Sequence, residues 1–205
     1  MKVIIFDFDG TILDALPILL KNMKKLCKEF NLKNIEFDEK MRDKTLKEII
    51  KELKIPFYKI PAYAGKLKES IKPELKKGKI FPGMEKVISG LRKKCVVGIL
   101  SSNLKETVKY VLDKNKIKVD FIYSDKSIFG KHIILKRLLK KKNFSKKEVI
   151  YIGDEIRDVE ASKKTGIKMI AVSWGFNSEK ALKKAKADFI VNDVKELNNF
   201  FKNLI

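Results

Sequence analysis

Cysteine is nearly absent from the 205 residues. Cys27 and Cys95 are the only two, far apart and each inside an apolar pattern, which suits reduced core thiols better than a disulfide or a metal site. No stretch approaches the roughly 18 consecutive apolar residues of a membrane span. The N-terminus also lacks the basic region, apolar region and cleavage site of a secretory signal. A cytoplasmic protein with no membrane partner is therefore expected. Arginine is scarce too: of 47 basic residues only Arg42, Arg92, Arg137 and Arg157 are arginine, although the net charge is +21. The lysines are spread over nearly every helical face and interleaved with glutamate, and arginine is the residue that usually supplies base and bidentate phosphate contacts. Nucleic acid is not the expected partner. The 44% of hydrophobic residues is ample for a core and excludes disorder.

The most informative stretch is Lys2-Val3-Ile4-Ile5-Phe6-Asp7-Phe8-Asp9-Gly10-Thr11. A β-branched and aromatic run followed by acid, aromatic, acid, glycine reads as a buried strand that runs out into a polar turn. Side chains alternate along a strand, so Asp7 and Asp9 take one side and Phe6 and Phe8 the other, and Gly10 allows a sharp turn. Two carboxylates held this close need compensation, from a divalent cation with its preference for oxygen or from a proton on a carboxyl of raised pKa. Taken alone, the segment reads equally well as an acidic Asp-Gly turn.

Residues 15–80 form a lysine-rich, all-helical module. One helix begins near Pro17 and carries Leu19, Met23, Leu26 and Phe30 on a single face; a second, capped by Asp38, runs to about Leu53; a third covers Ala62 to Ser70 and ends near Pro73. Gly78 to Gly83 punctuates the return to a different pattern. From there strands and helices alternate: strands at 95–100, 121–123, 148–152, 168–172 and 188–191, with helices between them and one closing the chain from Asp193. Such alternation implies a Rossmann-like α/β fold, a doubly wound parallel sheet built from residues 1–14 and 81–205 with the helical module inserted after the first strand. Its active crevice would lie outside the carboxyl ends of the strands.

Asp7 and Asp9, Ser101 and Asp154 all fall at such ends. Lys131 opens a helix, where a cation opposes the helix dipole; by itself it reads as solvent-facing. Ser101 could equally be a helix N-cap, as could Ser102 and Asn103. His132 reads as a solvent-facing residue of a first helical turn. Trp174-Gly175-Phe176, after the fifth strand, either borders a substrate pocket or plugs a loop.

Together these residues resemble the haloacid dehalogenase-like hydrolase superfamily, in its phosphoglycolate phosphatase-like group. Phe6-Asp7-Phe8-Asp9-Gly10-Thr11 matches the first family motif, Ser101 the second, Lys131 in Phe129-Gly130-Lys131 the third, and Gly153-Asp154-Glu155-Ile156-Arg157-Asp158 the fourth. The resemblance implies a Mg²⁺-dependent phosphatase of a small phosphomonoester with a helical cap. Asp7 would be the nucleophile and Asp9 the acid and base. Mg²⁺ would sit on Asp7, the Asp9 carbonyl and Asp154. Ser101 and Lys131 would bind phosphoryl oxygens together with amides that include Gly10, and Ser102 and Asn103 match positions near the phosphate or its ester. Asp158 would orient the metal shell or hold Lys131, with Glu155 in a similar supporting part. A phosphomutase, a phosphatase of nucleic-acid ends and a non-enzymatic phosphoacceptor are the competing readings. The identity of the ester and the oligomeric state are not readable from the sequence.

Overall fold

A computed structural model describes residues 1–32, 38–125 and 130–204. Six strands form one parallel sheet: β1 (Val3–Phe6), β2 (Val96–Ser101), β3 (Phe121–Ser124), β4 (Val149–Gly153), β5 (Lys168–Val172) and β6 (Phe189–Val191), in the order β3-β2-β1-β4-β5-β6. This is the doubly wound sheet that the alternation implied. The chain builds outward from β1 through β2 and β3, then returns to lay β4 on the other flank of β1. Such a reversal opens a crevice at the carboxyl ends of the two central strands. Phe6 stands in register with Ile99 on one side and Ile152 on the other, so the ends of β1, β2 and β4 are level.

The period of two along β1 decides which helices meet which side chains. Ile4 and Phe6, with Phe8 beyond the strand, enter one apolar layer with Met84 and Ile88 of α4 (Met84–Arg92) and Val108 and Leu112 of α5 (Lys105–Lys114). Val3 and Ile5 enter the opposite layer with Leu135 and Leu138 of α6 (Lys131–Lys142) and Val159 of α7 (Ile156–Thr165). Asp7 continues the Val3 and Ile5 side and therefore faces α6. Burial of Ile134, Leu135, Leu138 and Leu139 holds α6 in place, each side chain contributing about 1.5–3 kcal/mol. That outweighs the ~0.3–1 kcal/mol that Lys140 to Lys142 gain from the helix dipole at the C-terminus. The short α8 (Glu179–Lys184) and the closing α9 (Val194–Leu204) complete the two layers.

Between β1 and α4 lie α1 (Leu16–Glu29), α2 (Leu46–Glu52) and α3 (Ile60–Leu75), with 3₁₀ turns at Glu39–Asp43 and Phe57–Lys59. They pack around an apolar cluster of their own that includes Met23, Cys27, Met41, Ile49, Leu53 and Tyr63. Entry and exit of the segment run side by side, through Asp14 N donating to Lys79 O at 2.9 Å and Phe81 N to Ile12 O at 2.9 Å. Two sequence expectations need correction here. Asp38 caps only the 3₁₀ turn, its Oδ1 accepting from Met41 N at 3.2 Å. The following helix starts seven residues later, at a Thr45 and Glu48 capping box in which Glu48 Oε2 accepts from Thr45 N at 2.7 Å. The third helix is longer than its prolines suggested. Pro61 falls in the first turn of α3, where no donor is needed, and Pro73 in its last. Both cysteines are buried and free. Among the described residues no helix is long and apolar enough to cross a membrane.

Candidate active site

Asp7 is buried at the end of β1. Its Oδ1 accepts from Phe8 N at 2.7 Å, and its Oδ2 accepts from Lys131 Nζ. Lys131 reaches it because α6 covers this face of the sheet, and the first residue of that helix lies at the carboxyl edge. The same ammonium pairs with Asp158 and lies 5.3 Å from the centre of the Tyr151 ring. Burial pulls the Lys131 pKa down, but Asp158 and Asp7 outweigh it and hold the group above its ordinary value. Burial pushes Asp7 up to about 6 against the pull of Lys131. The lysine is thus a clamped cation, not the solvent-facing residue that its position alone suggested.

Asp9 occupies a different environment two residues on. Its Oδ2 accepts from Asn103 Nδ2 at 2.6 Å, while its buried Oδ1 has no hydrogen-bond partner among the described residues. Burial first, and then the charge of Asp7, push its pKa up to about 7. Two neighbouring carboxyls therefore differ in kind. One is held by a cation, and the other, with its pKa raised by burial and by Asp7, has an oxygen to spare.

Asp154 follows β4 and is buried under the turn of β1. Thr11 Oγ1 donates to its Oδ1 at 2.8 Å and Phe176 N to its Oδ2 at 2.7 Å. The fit depends on two glycines. Gly10 has φ +73°, and a Cβ there would lie 2.1 Å from Asp154 Oδ2; a Cβ on Gly175 would lie 2.3 Å from both that oxygen and the Gly10 carbonyl. Burial, and then Glu155, Asp7 and Asp158, raise the Asp154 pKa well above the ordinary carboxylate range. Carboxylate oxygens of Asp7, Asp154 and Asp158 lie within 4.8 Å of one another. Asp158 Oδ2 also accepts from Glu155 N at 3.0 Å, and Glu155 pairs with Arg157. That donor set is all oxygen, the kind a hard divalent cation takes.

Ser101 is buried at the same edge and accepts from Asn103 N at 3.0 Å. The N-cap of α5 is Leu104, so none of Ser101, Ser102 and Asn103 is spent on capping it. His132 is half-buried, not solvent-facing. Trp174 packs against the core and donates from Nε1 to Thr11 O at 3.2 Å, whereas Phe176 borders a cavity. The two readings of that loop therefore divide between its two aromatic rings. Phe129 lies outside the described residues. Sequence reasoning assigned nothing to Thr11 and Gly175, which form the seat of Asp154, or to Arg157. It also missed Arg42, whose Nη2 donates to Ser173 O at 2.6 Å and Gly175 O at 3.2 Å and ties the helical segment to the loop after β5. Nothing local to these residues announces contacts across more than 130 positions.

The cavity bordered by Phe176 has a volume of about 200 Å³. Asp9, Gly10, Ser102, Asn103 and Asp154 lie on its sheet side, and residues of α1, α2 and α3 close it from above.

Comparison with known proteins agrees with this arrangement. Phosphoglycolate phosphatase of Synechococcus elongatus is 27% identical over 202 residues, covering 96% of this chain and 95% of that protein. A crystal structure described as "a predicted phosphatase from Clostridium acetobutylicum" superposes with a TM-score of 0.83 at 22% identity, over 98% of both chains. A haloacid dehalogenase-like family protein from Streptococcus pneumoniae gives 0.82 at 20% identity, again over 98% of both. Those two structures share the fold. Residues 4–172, from β1 to the end of β5, match the haloacid dehalogenase-like hydrolase family, and the chain belongs to that family.

Proposed function

We propose that this hydrolase is a Mg²⁺-dependent phosphatase of a small phosphomonoester that works through an aspartyl-phosphate on Asp7. The observation that carries the reading is the contrast between Asp7, held by Lys131, and Asp9, which accepts from Asn103 and keeps a buried Oδ1 with no hydrogen-bond partner among the described residues. The name of the Synechococcus relative supports the reaction class.

In the first step the Asp7 carboxylate attacks phosphorus, the bond from phosphorus to the ester oxygen breaks, and Asp9 gives its proton to the departing oxygen. In the second, Asp9 takes a proton from a water that attacks the acyl phosphate, which releases phosphate and restores Asp7. Lys131, oriented by Asp158, and Ser101 hold phosphoryl oxygens, with the Ser102 amide as a further donor to the charge that builds there; the Gly10 amide, expected from the sequence to share that task, is spent inside the turn, donating to Leu13 O at 2.8 Å. Asp7 and Asp154, with the Asp9 carbonyl, would hold Mg²⁺; their crowded oxygens and the raised pKa of Asp154 fit a cation that compensates them. Bound there, the ion lets an anionic nucleophile approach an anionic phosphate. Residues 15–80 serve as the cap that covers the ester during transfer and excludes bulk water.

The test is phosphate release from a panel of phosphomonoesters with and without Mg²⁺, beside Asp7→Asn. Release that needs Mg²⁺ and vanishes in the variant is expected. Wild-type activity in Asp7→Asn would refute the proposal.

A further inference from the structure

The cavity beside Asp9 points to a substrate class. Resting on the phosphatase reading above, we infer that the alcohol half of the ester is apolar: the substrate is an alkyl or aryl phosphomonoester, not the phosphate of a small hydroxy acid.

Asp9 lies in the cavity wall, whereas Asp7 and Lys131 do not. The space is therefore on the leaving-group side of the reacting phosphorus. When the ester bond breaks, the alkoxide oxygen takes the proton of Asp9 and the neutral alcohol remains in this cavity. From the helical segment, every wall residue other than Tyr63 and Lys68 is aliphatic or methionine, Ile49, Ile50, Leu67 and Ile71 among them. Tyr63 enters as a neutral ring: burial holds its pKa above the ordinary value, and its hydroxyl lies 3.9 Å from Cys27 Sγ in the helical cluster. Arg157 lines the cavity together with Glu155, with which it is paired.

Size and polarity then agree. An apolar cavity of about 150 Å³ accepts a benzene ring, so about 200 Å³ has room for an aromatic ring or a chain of about six carbons. A two-carbon acid would leave most of that space unfilled and would set its carboxylate against aliphatic walls, at a heavy desolvation cost. An alkyl chain gains affinity with every methylene it removes from water. A carboxylate-bearing ester would depend on Lys68, the one cation that the helical segment brings to the wall among the described residues.

Non-hydrolysable phosphonates separate the cases. Calorimetric titration of the full chain in Mg²⁺ with methyl-, propyl- and hexylphosphonate is expected to show affinity rising about threefold per methylene. Over five methylenes hexylphosphonate should bind about 200-fold more tightly than methylphosphonate, and phosphonoacetate more weakly than propylphosphonate. Ala64→Leu, which enlarges a half-buried wall residue of α3, should shrink the ratio of hexyl to methyl affinity. Affinities that ignore chain length, or tightest binding of phosphonoacetate with its loss in Lys68→Met, would overturn the inference. Hydrolysis of methyl and hexyl phosphate at equal kcat/KM would overturn it too while the phosphatase reading stood. Chain-length-dependent binding with no phosphate released from any ester would support the apolar site and strike the phosphatase reading alone.

Discussion

Asn103 Nδ2 donates to Asp9 Oδ2 at 2.6 Å and so joins the turn after β2 to the turn after β1 across 94 positions of the chain. The bond favours the ionised carboxyl, yet burial and Asp7 outweigh it and leave the pKa at about 7. If Asp9 delivers the proton in the first step, activity falls on the alkaline side with that pKa. Asn103→Leu should move the alkaline limb of kcat/KM upward by about one pH unit, measured as a full pH profile. A limb that stays in place would assign it to another group.

Asp9→Asn should lower kcat by about 10²–10⁴-fold, the usual weight of a positioned acid and base. Its Mg²⁺ affinity should stay close to wild type if, as proposed, the metal takes the main-chain carbonyl at this position. Turnover and calorimetry on the same preparation check both halves. Parallel loss of metal binding would show that the side chain itself is a ligand.

Stability of the metal-free protein should fall as pH rises from about 4 to 7 at this site. Asp7 and Asp9 are raised from 3.8 to about 6 and about 7 in the fold. Their protons therefore stabilise the folded state fully below pH 3.8, and that contribution is lost as pH rises through the folded values. Surface carboxyls such as Glu74, lowered by Lys21 and Asn22, act in the opposite sense. The informative quantity is therefore the difference between Asp9→Asn and wild type, which should shift in favour of the variant between pH 4 and 7 in chemical denaturation with chelator present. Mg²⁺ at a hundredfold above its Kd should add about 2.7 kcal/mol at neutral pH, or ~5–10 °C in Tm for a chain of this size. Asp154→Asn should lose that gain.

Much of this was readable in the sequence, and the reason is physical. Period-two alternation in Val3 to Phe8 placed Asp7 and Asp9 opposite the phenylalanines, and alternating strands and helices implied which strand ends meet. Strand and helix periodicity alone could not pair Lys131 with Asp158, because α6 and α7 are adjacent only once the sheet is assembled; the resemblance left Asp158 either to the metal shell or to Lys131, and it does pair with Lys131. The break between the Asp38 turn and the Thr45 helix was hidden because both share one apolar face, and the Thr45 to Glu48 box was the signal that separates them. The seat of Asp154 is shared by the turn after β1 and the loop after β5, segments far apart in the chain, so nothing local to Asp154 signals it.

Gly175 is the residue of that seat most open to test. A Cβ there would meet Asp154 Oδ2 and the Gly10 carbonyl at 2.3 Å, and the carboxylate would have to move. Gly175→Ala should weaken Mg²⁺ binding about 10–100-fold, as disturbed outer-shell partners do. Gly65, in the interior of α3 with nothing within 4 Å of an added Cβ, is the control. Gly65→Ala should raise stability by about 0.5–1 kcal/mol and leave metal binding as it was.

The covalent role of Asp7 is tested most directly by rapid acid quench of the Asp9→Asn protein during turnover of a phosphomonoester in Mg²⁺, followed by peptide mass spectrometry. With nitrophenyl phosphate as the ester, whose leaving group departs without the acid, loss of the base of the second step should let a phosphoryl group accumulate on the peptide that carries Asp7, labile to hydroxylamine as an acyl phosphate is. Phosphate release under these conditions with no adduct on that peptide, or an adduct that persists in Asp7→Asn, would contradict the account.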